Sequence, residues 1–320
     1  MVMLSIFVLL VYNNIDRMKS NSNVGKITST ANFLRYLAKF FANIRYPFSK
    51  NSRNLFKDRF IKDFCGDYIY KRVSRDVHES DFNQNDVPLF VISFNNLTYL
   101  RNIIEILEKY NLTNIHIIDN NSDYPPLVNY LKNLPYKVHF LDKNFGHRVL
   151  WDSHIFDDII YNQIYVVTDP DLEFNPNLPN DFLYQMYKLL VQFPNITKVG
   201  FALKIDDLPK SDMNNRVLLW EKQFWKDVQK DNNYELYRAN IDTTFALYRP
   251  GKIGRYNFYT GLRIAGNFCA KHLPWYCDCV ESSYYRKTAS AKSASWALDS
   301  SRYAQCSKNQ IEINSYELDE

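Results

Sequence analysis

Gln163-Ile164-Tyr165-Val166-Val167-Thr168-Asp169-Pro170-Asp171 is the stretch whose reading decides the fold. Its first six residues, apolar and β-branched for the most part, predict a buried strand. The run then stops at two carboxylates two residues apart. In an extended segment such residues point to the same side, so the charges of Asp169 and Asp171 repel unless a cation sits between them. Hard oxygen donors suit Mg²⁺ or Mn²⁺, which keeps some of its waters and takes further oxygens from a phosphate group. Glu173 could extend the set. An EF-hand would need glycine at 174 and glutamate at 180, where the chain has Phe174 and Asn180. An ordinary acidic turn is the plain alternative.

Working outward, the same pattern recurs upstream. Val87–Phe94 is an apolar run broken at Asn95-Asn96, and Tyr99–Tyr110 carries Leu100, Ile103, Ile104 and Leu107 at helical spacing. Ile115–Ile118 predicts a second buried strand, ending at Asp119-Asn120-Asn121-Ser122. Pro125-Pro126 opens a helix through Leu131, as proline at a first helical turn does. Lys137–Leu141 predicts a third strand before Asp142-Lys143-Asn144-Phe145-Gly146, and a helix over Val149–Ile160 leads into the opening stretch. Strand and helix alternating in this way predict an α/β fold with a mixed, mostly parallel sheet flanked by helices and joined by right-handed crossovers. Ligands of such sheets bind outside the carboxyl ends of the strands, and that is where Ser93–Asn96, Asp119–Asp123, Lys143–Arg148 and Asp169–Asp171 fall. Downstream, Val199–Ile205 and Ile241–Tyr248 read as further strands.

Phe90-Val91-Ile92-Ser93-Phe94-Asn95, Ile117-Ile118-Asp119-Asn120-Asn121-Ser122, Lys143-Asn144-Phe145-Gly146 and Val167-Thr168-Asp169-Pro170-Asp171, in this order, resemble the GT-A glycosyltransferases, and among them the inverting, family 2-like, metal-dependent ones. Phe94-Asn95 stands where the family has Tyr-Asn, Asp119-Asn120-Asn121-Ser122 where it has Asp-Asp-Gly-Ser, and Asn144 with Gly146 where it has Asn-x-Gly. The resemblance covers about 87–280 and implies a Rossmann-like GT-A domain that moves a sugar from a nucleotide-diphospho-sugar to a glycan or glycolipid acceptor. It implies that Ser93, Phe94, Asn95, Asp119, Asn144, Gly146, Arg148 and Asp169 line the nucleotide-sugar pocket. It further implies that Asp169 and Asp171 hold Mn²⁺ or Mg²⁺ against the diphosphate, with the late His272 as third metal ligand or diphosphate contact. Such a cation stabilises the leaving group as the sugar bond breaks.

An inverting transfer needs a carboxylate to take the acceptor's proton. Asp242, inside an apolar strand where burial raises a carboxyl pKa, and Glu221, between Trp220 and Trp225, are the catalytic candidates, with Asp207 behind them. The family's acidic pair before a late helix has no clean counterpart. Trp220, Trp225, Trp275 and Tyr276 offer faces for sugar stacking, or core. Cys269, His272, Cys277 and Cys279 admit a zinc reading, though the spacing departs from the usual ligand pattern.

The chain of 320 residues, 46% hydrophobic and 23% charged, is globular in composition, which excludes wholesale disorder and a polytopic membrane protein. Only 8 residues are glycine, and neither G-x-x-x-x-G-K-[ST] nor G-x-G-x-x-G occurs, so nucleotide binding needs another device. Five unpatterned cysteines point to a reducing compartment. Four parts are expected: an apolar segment 1–15, a basic helical extension and linker 16–86, the GT-A domain 87–280, and a polar tail 281–320. Residues 13–85 hold 14 Lys or Arg against 7 Asp or Glu, a basic arm before a mildly acidic body. Phe33–Ile44 and Leu55–Ile69 read as amphipathic helices. The apolar segment is short for a span and a poor signal peptide, which leaves peripheral membrane contact or burial. The expected location is cytoplasmic or membrane-associated facing the cytoplasm, with a membrane-anchored secretory-pathway enzyme as the lesser alternative. No nucleic-acid reader motif is present. The rival functions are a glycan- or nucleotide-sugar-binding protein on a degenerate GT-A fold and a sugar nucleotidyltransferase. The latter usually has a Gly-rich loop after its first strand, where this chain has Ser93–Asn96.

Overall fold

The computed structural model describes Asn43, Val77 and residues 82–194, 196–241, 243–251 and 261–289. The chain divides into two compact units, Met1–Cys65 and Gly66–Glu320. Apart from Asn43, which is helical, every described residue lies in the second. The apolar segment 1–15, the two amphipathic stretches apart from Asn43, Asp242 and residues 290–320 of the tail lie outside the described residues. Among the described residues, no helix is long and apolar enough to cross a membrane.

The second unit is built on a nine-stranded sheet. β1 (Leu89–Ser93) and β2 (Ile115–Asp119) are buried at every position, which explains why both read as continuous apolar runs rather than as alternating ones. β3 (Lys137–Phe140) lies at the edge. β4 (Tyr165–Thr168) pairs parallel to β1 on its other side, Leu89 opposite Val166. β5 (Leu172–Phe174) leaves this sheet. β6 (Lys198–Phe201), β7 (Val228–Gln229), β8 (Leu236–Arg238), β9 (Ala246–Tyr248) and β10 (Gly261–Ile264) complete the order β3-β2-β1-β4-β9-β6-β10-β8-β7. Only β8 and β9 run against the rest, so the sheet is mixed and mostly parallel, as the sequence predicts. β5 pairs antiparallel with β11 (Ala270–His272) in a separate two-stranded sheet.

Helices cover the sheet. α1 (Leu97–Lys109) is capped by Asn96, whose side chain accepts from Tyr99 N, and it buries Leu100, Ile103, Ile104 and Leu107, the residues its spacing singles out. α2 (Pro125–Lys132) starts on the two prolines and buries Leu127 and Leu131. α5 (Phe182–Gln192) and α6 (Asp212–Glu221) add to the same core, while α3 (Val149–Asp152) and α4 (Asp157–Ile160) pack into a second core with Phe90, Ile92 and Tyr165. The single helix expected over 149–160 is therefore two. His154 takes a positive φ of 60° between them, a conformation no helix continues through. Two expected strands are shorter than their apolar runs. Beyond Phe201 the chain departs to meet β11, with Leu203 bridging to Ala270, and only Ala246–Tyr248 of the run from Ile241 pairs.

Topology fixes where a ligand can bind. From β1 the chain runs outward through β2 to β3, then returns to set β4 on the opposite side of β1. The connections diverge between β1 and β4, which opens a crevice outside their carboxyl ends.

The stacked pair His116 and His139 joins β2 to β3, with Nδ1 of the first 3.2 Å from Nε2 of the second. Burial, with Lys137 and His139 adding to it, pushes the His116 imidazole down to about 4. The unfolded chain takes up this proton near its ordinary value, about 6.5, so it binds more protons than the folded one in between. Stability is expected to be indifferent to this group above about pH 6.5 and to fall as pH drops from there toward 4. Urea unfolding midpoints across that window, compared with those of His116→Gln, check it: the variant should show a shallower fall.

Candidate functional site

A cleft of about 440 Å³ opens at the divergence point. Ile92 and Phe94 line it from the end of β1, Asn120 from β2, Gly146 and His147 from the loop after β3, and Asp169 and Asp171 from the end of β4. The Asp-x-Asp pair thus stands in the crevice and opens onto it.

The three loops after β1, β2 and β3 are tied by asparagines. Asn95 has φ 45° and is buried; its Oδ1 accepts from the N–H groups of Asp123 and Tyr124 at 2.9 and 3.0 Å, and its Nδ2 donates to Asp123 at 2.7 Å. Asn120 binds the next loop twice, accepting from Phe145 N at 2.9 Å and donating to Gly146 O at 3.0 Å. Asn121 has φ 67°, a backbone that asparagine tolerates and that explains how it stands where the resembling family has glycine. Asn144 accepts from Gly146 N at 2.7 Å, and Gly146 has φ 79°.

These bonds redistribute the expected roles. Of the eight nucleotide-sugar residues, Phe94, Gly146 and Asp169 line the cleft. Asn95 and Asn144 shape its loops instead. Asp119 is buried behind Asn120, accepts from Ser122 N, and has its carboxyl pushed up by burial. Ser93 is fully buried, and Arg148 pairs with Asp152 at 3.5 Å and lies over Trp151. None of these five is among the lining residues. Asn96, Asn120 and His147 line the cleft from the expected strand-end clusters without having been named as contacts, and Tyr99, Ser211, Met213, Thr243, Asp278, Tyr285 and Arg286 line it from stretches where no site was expected. Tyr99 looks like one more apolar residue of its helix, and Asn120 like a mere departure from an acidic motif; neither spacing nor type reveals the difference.

At the centre, β5 and β11 pair with His272 opposite Leu172, and Leu273 N donates to Asp171 O at 2.8 Å. This register carries the His272 Nε2 to 3.3 Å from Asp171 Oδ2. The other oxygen, Asp171 Oδ1, is buried with no hydrogen-bond partner among the described residues. Two donors bound at right angles to one ion at about 2.1 Å lie about 3 Å apart, so this couple fits a divalent cation. Asp169 is held differently: its Oδ2 accepts from the Thr243 hydroxyl and its backbone N–H donates to Thr243 O. Among the described residues, no three His, Cys, Asp or Glu gather as a metal group. Of the expected trio Asp169, Asp171 and His272, the structure brings the last two together, while the first carboxylate accepts from Thr243. The zinc reading of Cys269, His272, Cys277 and Cys279 fails by the same observation.

Glu221 is corrected too. Its carboxylate sits in a buried pair with Arg263, Oε2 to Nη1 at 2.8 Å, and is not among the lining residues. Asp207 is taken by Lys204 at 2.7 Å and Tyr276 at 2.6 Å; burial pushes its carboxyl up, and these two bonds outweigh that to hold it below its usual range. Trp275 lines the cleft, whereas Trp220 packs on Phe224, Trp225 on Tyr237, and Tyr276 is the donor to Asp207.

No protein-family model matches the chain, and no curated protein does. Solved structures do match. One is GalNAc-T7 with UDP, GalNAc and Mn²⁺, at 14% identity and a TM-score of 0.37, covering 79% of this chain and 61% of that one. Another is a Bacillus anthracis protein described as a glucose-1-phosphate thymidylyltransferase, in complex with sucrose, at 12% identity and a TM-score of 0.30, covering 51% and 72%. The chain thus spans about 61% of the length of the first. At such distances the functional reading rests on the cleft's own residues.

Glu221→Gln leaves the Arg263 charge buried without its partner. It is expected to lower unfolding free energy by about 3–5 kcal/mol, measured by denaturant titration. A base facing a cleft would show no such loss.

Proposed function

We propose that the chain is a glycosyltransferase of the GT-A type, metal-assisted and inverting, which takes a nucleotide-diphospho-sugar as donor and a glycan or glycolipid hydroxyl as acceptor. The observation that carries this reading is the Asp171–His272 couple, one carboxylate oxygen unsatisfied, in a cleft at the carboxyl ends of β1, β2 and β4.

The charge of the cleft supports it. Asp169, Asp171 and Asp278 face Arg286, the one Arg or Lys among the described lining residues. A surplus of negative charge repels a diphosphate, so an anionic donor enters only with a divalent cation to screen it. Asp171 and His272 would hold that ion, with Asp169, oriented by Thr243, beside them. An imidazole among the ligands favours Mn²⁺ over Mg²⁺. When bound, the ion supplies Lewis-acid stabilisation of the charge that collects on the leaving diphosphate.

The remaining work falls to the protein. Phe94 and the Asn120–Gly146 loops shape the nucleotide side, and Trp275 and Met213 form an apolar wall for a sugar ring. Inversion requires a carboxylate that takes the acceptor hydroxyl's proton while its oxygen attacks the sugar carbon and the diphosphate leaves. With Glu221 tied to Arg263, Asp242, the residue before the cleft-lining Thr243, is the base we propose.

A panel of nucleotide sugars, with hydrolysed donor and released nucleotide read by mass spectrometry, tests this. At least one donor should be cleaved to a nucleoside diphosphate with Mn²⁺. Asp171→Ala should lose at least a hundred-fold of that activity, as removal of a metal ligand does, with its melting temperature retained. Full activity in EDTA would refute the metal's part, and release of pyrophosphate would show nucleotidyl transfer.

A further inference from the structure

α7 (Ser282–Thr288) lies beyond the expected end of the domain at 280, in what reads as a tail, yet Ser282, Tyr285 and Arg286 line the cleft. Its fastenings hold it to the nucleotide side. Asn95 Nδ2 donates to Thr288 Oγ1 at 3.0 Å, Thr98 Oγ1 donates to both Glu281 oxygens at 2.8 and 3.1 Å, and Phe94 meets Tyr285 edge-on. The turn before the helix is closed by Cys279 N donating to Ser282 Oγ at 2.8 Å. None of these bonds involves Arg286.

The Arg286 guanidinium instead forms a fork with Asp278, Nη1 to Oδ1 at 2.7 Å and Nη2 to Oδ2 at 3.0 Å. Both side chains line the cleft, and both stay open to water, at 35% and 63% exposure. The same planar fork fits a carboxylate or a phosphate.

Resting on the reading of the cleft as a nucleotide-diphospho-sugar site, we infer that Arg286 is an anion clamp held in reserve by Asp278, which it exchanges for the ligand's diphosphate. An exposed ion pair holds its partners weakly, and neither charge must be newly desolvated for the exchange. A diphosphate offers several oxygens where Asp278 offers two. Asp278 is also a selectivity device. While it occupies the fork, a stray anion meets a cleft with no free Arg or Lys among its described lining residues. α7 needs no help from this pair to stay in place, because its other bonds fasten it. The Asp278 carboxyl is held below its usual range chiefly by the hydrogen bond from Arg286, as a formed pair requires.

Calorimetric titration of the full chain with UDP, GDP, ADP, TDP and inorganic pyrophosphate, each with Mg²⁺, tests the inference. Asp278→Asn should tighten binding of the preferred nucleoside diphosphate by up to about five-fold. Arg286→Gln should weaken it by roughly ten-fold or more, and Arg286→Lys, which keeps the charge without the fork, should fall between. Opposite signs decide the matter, because a pair that merely held the helix would weaken binding in both variants. Parallel losses, or no change in either, overturn the clamp while leaving the donor reading intact. Pyrophosphate bound as tightly as the best nucleotide overturns the nucleotide as its ligand. Wild-type chain that binds none of the five overturns the donor reading, and the clamp falls with it.

Discussion

Three residues paired against three set the geometry at the centre of the cleft. The ladder of Leu172–Phe174 with Ala270–His272 is all there is of the second sheet, yet its register brings His272 to Asp171 across about a hundred residues of chain. A shift of one residue would turn the imidazole to the other face of the strand. The ladder is anchored from both sides: Phe174 stacks among Phe182, Phe201 and Phe245, and Ala270 bonds to Ala202 and Lys204 on the strand leaving β6. The placing of the Asp171–His272 couple is therefore tied to the packing of the aromatic core.

Charges outside the cleft are treated differently from those inside it. Arg263 and Glu221 satisfy each other in the core. Lys198 donates to Tyr248 Oη and to Ile241 O, and Arg249 caps carbonyls at the end of α5, where a cation meets the negative end of the helix dipole. In the cleft, by contrast, Asp171 keeps an oxygen with no described partner, and Arg286 and its partner Asp278 are both open to water. Buried polar groups in a stable fold are paired. Among the cleft-lining residues, Asp171, His272 and Trp275 each keep a buried polar atom with no hydrogen-bond partner among the described residues.

Much of the fold was legible in the sequence because burial on both faces of a parallel sheet demands unbroken apolar runs, which Phe90–Ser93, Ile115–Ile118 and Tyr165–Thr168 supply. α1 was legible because its buried stripe has helical period. The break between α3 and α4 was not, since a positive φ at His154 leaves no mark on hydrophobic spacing. Of the site, Asp169, Asp171, Gly146 and His272 stood out by type and position. Asn95 and Asp119 stood out as well, but as ligand contacts, where the structure uses them to hold and back the loops.

The sequence by itself determined the order of strands and helices, the direction of most of the sheet and the placing of two carboxylates at a strand's end, because these follow from local burial and chain polarity. Only the tertiary structure decided which groups meet. Thr243 claims Asp169, Arg263 claims Glu221, Asp278 claims Arg286, and His272 reaches Asp171. Each of these contacts joins elements remote in sequence or otherwise unmarked. The free energy of such a contact depends on distance and desolvation in three dimensions, which residue type and spacing do not encode.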